Sequence, residues 1–241
     1  MSRRVLVLGG TAEARELATR LAARGDDVTT SLAGRTRHPR LPDGEVRTGG
    51  FGGVDGLAAA LGDVDVLVDA THPFAATMTE HAAAAAARTG TPLLLLRRPG
   101  WTAGPGDRWT RVGSLAAAAT SIPAGARVLL ATGRQGVGAF ADVDAWFLVR
   151  AIEAPEVLPA RSQLVLARGP FALDDERALL ERHGITVVVA KDSGGGTEAK
   201  LVAARERSLP VLLVDRPPLP VGVDVVESVD EALARLQQRA P

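Results

Sequence analysis

Gly9, Gly10 and Thr11 lie between four consecutive apolar residues, Val5 to Leu8, and a stretch with helical apolar spacing at Ala14, Leu17, Ala18 and Leu21. That order reads as a buried strand, a tight turn and a helix start. Glycine takes φ > 0 and lets a ligand approach the backbone, and Thr11 can cap the helix. A helix N-terminus offers unsatisfied N–H groups and partial positive charge, which suits an anion and most often a phosphate. Gly9, Gly10, Thr11, Ala12 and Glu13 are therefore candidate phosphate holders. The G-x-G-x-x-G fingerprint is incomplete, because Ala14 stands near the place of its third glycine. A strand-to-helix turn with no ligand would be written the same way.

Other stretches carry chemistry at expected strand ends. The second strand, Val28 to Ser31, ends where NAD sites place an acid on the ribose 2′-hydroxyl. Here the residue is Ser31, and Arg35 and Arg37 follow. A serine with arginines suits a 2′-phosphate and hence NADPH; a solvated basic loop is the plain alternative. Gly49-Gly50-Phe51-Gly52-Gly53 suggests backbone packed against something flat or charged, or else a flexible turn. Val64 to Val68 leads into Asp69-Ala-Thr71-His72-Pro. Ligands of open parallel sheets bind beyond the carboxyl ends of the strands, so Asp69, Thr71 and His72 are candidates. His72 could orient a nicotinamide ribose or bond a carboxylate, or simply cap its loop. His38, His81 and His183 read as surface or structural residues.

A second set lies downstream. Gly133-Arg134-Gln135-Gly136 follows the strand at Val128 to Ala131, and Arg150 ends the strand starting at Trp146. Arg168-Gly-Pro-Phe171 follows Leu164 to Leu166. Lys191-Asp-Ser193-Gly194-Gly-Gly-Thr-Glu-Ala-Lys200 follows Thr186 to Val189 and opens a helix. This last loop offers a nest of N–H groups plus lysine charge, without the Walker A order. Arg134, Arg150, Arg168 and Lys191 all fall at strand ends. Each alone is a surface charge by default; together, in a chain of formal net charge +0, they read as a site for a polyanion.

The elements that position these residues recur. Val128 to Thr132 matches Val5 to Gly9, Val187 to Lys191 matches Val66 to Ala70, Pro210 to Pro217 matches Pro92 to Pro99, and Ser228 to Leu236 matches Ser114 to Thr120. Ser228 and Glu231 also form a capping box. The 241 residues thus read as an α/β chain of two Rossmann-like parallel-sheet domains, 1–122 and 123–241, joined near Ser121 to Gly125 and facing a central cleft. Parallel α/β sheets resemble one another, so two domains are the firmer expectation and duplication the lesser one.

Composition removes several classes. With no cysteine there are no disulfides, thiolate nucleophiles or zinc–thiolate sites, and with no tyrosine there is no phenol for acid–base work. Neutral net charge gives no sign of a nucleic-acid or membrane partner. No apolar run approaches the roughly 18 residues of a membrane span. The first residues have neither the apolar core nor the cleavage site of a secretory signal, so a cytoplasmic protein is expected. No metal site is expected either.

Nearly the whole chain resembles one family, precorrin-6A reductase of cobalamin biosynthesis with its cobalt-precorrin relatives. The residues that carry the resemblance are Gly9-Gly-Thr-Ala-Glu-Ala-Arg15, Ser31-Leu-Ala-Gly34, Gly49-Gly-Phe-Gly-Gly53, Asp69-Ala-Thr-His-Pro-Phe-Ala75, Arg98-Pro-Gly-Trp101, Arg168-Gly-Pro-Phe171, Lys191-Asp-Ser-Gly-Gly195 and Ala203-Ala-Arg205. The resemblance implies two Rossmann-like domains with NADPH and a tetrapyrrole between them, and reduction of one ring double bond of precorrin-6A. With it, Gly9 to Glu13 are expected at the pyrophosphate, Ser31 and Arg35 at the 2′-phosphate, Gly50 near the cofactor, and Thr71 and His72 near the nicotinamide ribose. Arg134, Arg168, Lys191, Ser193 and Gly194 are expected to fix the substrate carboxylates or to close on the cofactor from the other domain, with water, His72 or Lys191 as the proton source. The competing classes are a reductase of another polyanion, a non-catalytic nucleotide sensor and a methyltransferase; Ser31, where a methyltransferase would want an acid, argues against the last. The sequence leaves the oligomeric state open between monomer and homodimer.

Overall fold

A computed structural model describes residues 2–34 and 44–238 of the chain. In chain order the first elements are β1 (Arg4–Leu8), α1 (Ala12–Ala23), β2 (Asp27–Leu32), β3 (Glu45–Thr48), α2 (Val54–Ala60), β4 (Val66–Asp69), α3 (Ala76–Thr89), β5 (Leu93–Leu96), β6 (Arg108–Val112) and α4 (Leu115–Thr120). There follow β7 (Arg127–Ala131), a 3-10 helix (Arg134–Phe140), β8 (Trp146–Ala151), β9 (Ser162–Leu166), α5 (Leu173–Arg182), β10 (Val187–Lys191), α6 (Ala199–Glu206), β11 (Pro210–Val214), β12 (Asp224–Val226) and α7 (Val229–Gln238).

Strands covered on both faces must be apolar throughout, and β1 shows why its run is unbroken. Val5 and Val7 pack with Leu17 and Leu21 of α1 and with Leu233 and Leu236 of α7. Leu6 and Leu8, pointing the other way, pack with Leu57 of α2 and with Ala82 and Ala85 of α3. The same layering recurs around β7, where Leu129 joins Leu180 of α5 and Leu201 of α6 in one cluster. No helix among the described residues is long and apolar enough to cross a membrane.

Both six-stranded sheets are parallel at every pairing, in the orders β12-β5-β4-β1-β2-β3 and β6-β11-β10-β7-β8-β9. These are the two α/β sheets expected. Their registers correspond: Val5 pairs with Val28 and Val66 as Val128 pairs with Phe147 and Val187.

The expected boundaries, 1–122 and 123–241, are corrected. The compact units are residues 1–99 with 217–241, and residues 100–216. β6 joins β11, with Trp109 opposite Val211, and β12 joins β5, with Asp224 opposite Leu94. Each half of the repeat has thus given its last strand and helix to the other sheet. The segment from Ser121 to Gly125 is an ordinary connection inside the second unit. A short edge strand is recognisable from its own residues, but those residues do not specify which sheet edge will pair with it.

Candidate active site

In the first sheet the strand order reverses between β1 and β4, the topological switch point where ligands of such sheets bind. The turn after β1 is tightly built. A Cβ on Gly9 would lie 2.8 Å from Thr30 Cγ2, so the residue must be small. Gly10 has open space around it but sits at φ 120°, which only glycine adopts readily. Thr11 is the N-cap of α1: its Oγ1 accepts from the Ala14 amide at 3.0 Å and donates to the Ala70 carbonyl at 2.8 Å. One hydroxyl therefore ties the helix start to the chain leaving β4. The amides of Ala12 and Glu13, in the first turn, find no acceptor among the described residues. The Glu13 carboxylate pairs with Arg98 at 2.8 Å in a largely buried bridge, so its own charge is balanced and what it can offer an anion is its amide.

The end of β4 is organised by Asp69, which is completely buried. Its Oδ1 accepts from the Thr71 amide (3.0 Å) and hydroxyl (2.7 Å), and its Oδ2 from the Thr79 hydroxyl (2.7 Å). The site thus holds Thr71 through a carboxylate satisfied by neutral donors. His72 is exposed, and its Nδ1 accepts from the Phe74 amide at 3.2 Å. In the neutral ring this leaves the hydrogen on Nε2. The loop-capping role foreseen for His72 is present, and it orients a possible donor.

At the ends of β2 and β3, Gly9 donates to the Ser31 carbonyl at 2.9 Å. Ser31 is buried, and its Oγ accepts from Arg47 Nη1 at 3.0 Å. Gly50 is exposed, its carbonyl 3.4 Å from Arg47 Nη2. Arg35, Arg37 and His38 lie outside the described residues. Arg47 escaped the sequence reading; the available signal was a cation just before the glycine-rich Gly49 to Gly53.

In the second unit the switch point falls between β7 and β10. Arg134 and the loop from Lys191 to Gly194 follow these strands, and Arg168 follows β9. Arg134 pairs with Glu153 at 2.9 Å. Arg168 is exposed, with no charged partner among the described residues. Lys191 is half-buried, and burial pushes its pKa below the usual lysine range. Gly194 and Gly195 both take positive φ, 64° and 66°. Asp192 is buried and accepts from the Trp101 amide (2.9 Å) and Arg111 (2.8 Å), while its carbonyl accepts from Arg216 (2.8 Å).

Arg150 departs from the other strand-end cations. Arg150 is buried, 2.9 Å from Glu176, with its guanidinium over the Phe171 ring. It belongs to the interior because a carboxylate distant in sequence neutralises it there. Lys200 is also buried: its Nζ donates to the Thr197 carbonyl at 2.5 Å and lies 4.6 Å from the centre of the Trp101 ring. Desolvation, reinforced by Arg150, brings its pKa down to about 8. Trp101 Nε1 in turn donates to the Gly195 carbonyl at 3.0 Å, so the loop is pinned at Asp192, Gly195 and Thr197.

Fold and first-sheet geometry define a Rossmann-type α/β protein with a glycine turn and a helix start at its switch point. The family model described as "Precorrin-6x reductase CbiJ/CobK" matches residues 4–237, and the chain belongs to that family. It is 56% identical to a precorrin-6A reductase of Rhodococcus erythropolis, over 96% of each chain. It is 49% identical to one of Mycobacterium tuberculosis, over 95% of each. A cobalt-precorrin-6A reductase of Priestia megaterium is 28% identical, over 90% of this chain and 92% of its own length. The solved structure "CobK precorrin-6A reductase" superposes with a TM-score of 0.92 at 45% identity, covering 98% of this chain and 96% of that one.

Proposed function

We propose that this protein reduces one macrocycle double bond of precorrin-6A with NADPH, giving the dihydro product of corrin ring assembly. It is an oxidoreductase acting on a CH–CH group, in keeping with its family. The observation that carries the NADPH reading is the first turn: Gly10 at φ 120° with open space before it, behind a helix start whose Ala12 and Glu13 amides have no acceptor among the described residues. These residues fit a pyrophosphate. Identity is higher to relatives named for precorrin-6A, 56% and 49%, than to relatives named for cobalt-precorrin-6A, 33% and 28%, which favours the metal-free substrate.

NADPH, when bound, supplies the hydride. The chain's residues orient and balance charge around that transfer. Gly9 to Glu13 would hold the pyrophosphate, Ser31 the 2′-phosphate together with Arg35 as the sequence suggests, Gly50 the adenosine side, and Thr71 and His72 the nicotinamide ribose. Arg134, Arg168, Lys191, Ser193 and the Gly194 backbone hold carboxylates of the tetrapyrrole. The proton comes from water, from His72 Nε2 or from Lys191, whose lowered pKa eases its release.

The test is NADPH oxidation followed at 340 nm (the nicotinamide band) on addition of precorrin-6A, beside a binding titration with NADPH alone. Oxidation that depends on the tetrapyrrole supports the reading. Binding without oxidation leaves the nucleotide-sensor reading in its place, and the absence of both removes the NADPH assignment.

A further inference from the structure

We infer that Arg47 reads the phosphate on the adenosine 2′-position and so sets the choice of NADPH over NADH. This rests on the NADPH reading above and names a residue for its specificity.

Position comes first. Arg47 on β3 is in register with Ser31 on β2, so both side chains leave the same face near the carboxyl ends of their strands. The Gly9 amide is bonded to the Ser31 carbonyl, which fixes these strand ends beside the glycine turn. A dinucleotide with its pyrophosphate at that turn has its adenosine ribose over the end of the second strand. An acid at that place would grip the 2′-hydroxyl and repel a 2′-phosphate. Here the place holds a hydroxyl with a guanidinium docked on it.

The guanidinium is also pre-set. Nη1 donates to Ser31 Oγ at 3.0 Å, Nη2 approaches the Gly50 carbonyl at 3.4 Å, and the Phe51 ring centre lies 3.8 Å from Cζ. The ring fixes the plane and the two oxygens fix the rotation, while most of the five N–H groups of an arginine stay available for a phosphate. None of these contacts neutralises the charge. Among the described residues no carboxylate pairs with Arg47, whereas Arg98 has Glu13 and Arg134 has Glu153. A half-buried, oriented guanidinium with no carboxylate partner among the described residues, beside a ribose position, is suited to a phosphate monoester.

The experiment compares wild type, Arg47→Ala and Arg47→Lys. It measures kcat/KM with NADPH and with NADH, and inhibition by 2′,5′-ADP against inhibition by 5′-ADP. In Arg47→Ala the NADPH-to-NADH preference is expected to fall by about 10- to 100-fold, the scale of a charge-assisted phosphate contact. Inhibition by 2′,5′-ADP should weaken by a similar factor, more than inhibition by 5′-ADP. Arg47→Lys keeps the charge but loses the fork, and should fall between. If Arg47→Ala does not fold, a Lys variant with the preference of wild type overturns the assignment. Equal losses with both cofactors would make Arg47 a clip between β2 and β3 and overturn it likewise. A wild type that oxidises neither cofactor would instead sink the functional reading itself.

Discussion

β1 runs into Gly9-Gly10 and the twelve-residue helix α1; β7, its counterpart, runs into Thr132-Gly133 and a 3-10 helix from Arg134 to Phe140. Gly10 and Gly133 both need positive φ, 120° and 76°. The difference begins just beyond them. A Cβ on Gly136 would lie 2.9 Å from Leu115 Cδ1 and 3.0 Å from Thr132 Oγ1, so the chain hugs α4 in a tight coil. A short 3-10 turn has poorer hydrogen-bond geometry than an α-helix and lacks the long aligned dipole of α1. The first unit thus offers backbone amides to an anion, the second mainly side-chain cations. On the proposed function this separates a pyrophosphate from a set of carboxylates.

Gly10→Val and Gly133→Val put the contrast to its hardest test. Both introduce a strained backbone, but only the first removes the approach to α1. NADPH KM should rise about 100-fold in Gly10→Val, the scale of losing one or two amide–phosphate contacts, and less than about threefold in Gly133→Val. Equal effects would erase the distinction between the turns. For the second unit, Lys191→Ala should lower kcat/KM for precorrin-6A about tenfold, the loss of one charged contact. Kinetics close to wild type would return Lys191 to the ordinary surface.

The smallest effect concerns stability. Lys200 titrates at about 8 in the folded chain and near 10.5 when unfolded. Below pH 8 both states are protonated, and the cost of burying the ammonium is fully present. Between pH 8 and 10.5 the unfolded chain binds more protons, so stability should rise across that window. Lys191 shifts in the same direction. With no tyrosine or cysteine in the chain and only these two lysines, few other groups titrate in that window. Urea midpoints across it should climb for wild type and much less for Lys200→Met. A flat wild-type curve would mean that Lys200 keeps its proton at ordinary cost.

What could be read in advance follows from what is local. The runs Val5 to Leu8, Val66 to Val68, Val128 to Leu130 and Val187 to Val189 declare strands buried on both faces, and Thr11, Ser114 and Ser228 mark helix starts through their own hydroxyls. The places of Gly10, Thr71, Ser31 and Lys191 at strand ends follow from those runs. Arg150 and Lys200 defeated the same reasoning, because a lone cation is by default exposed, and Glu176 and Trp101 keep them inside from distant parts of the chain. Arg47 was hidden similarly, its role depending on a register with Ser31 that only sheet pairing reveals.

The trade of β6 for β12 has a consequence for synthesis. Residues 100–216 contain every strand of their sheet and can close as soon as they leave the ribosome, whereas the amino-terminal sheet lacks its sixth strand until residues 224–226 arrive. The part of the protein made first is therefore the part finished last, and a released chain truncated near residue 216 would carry one completed sheet preceded by an open one.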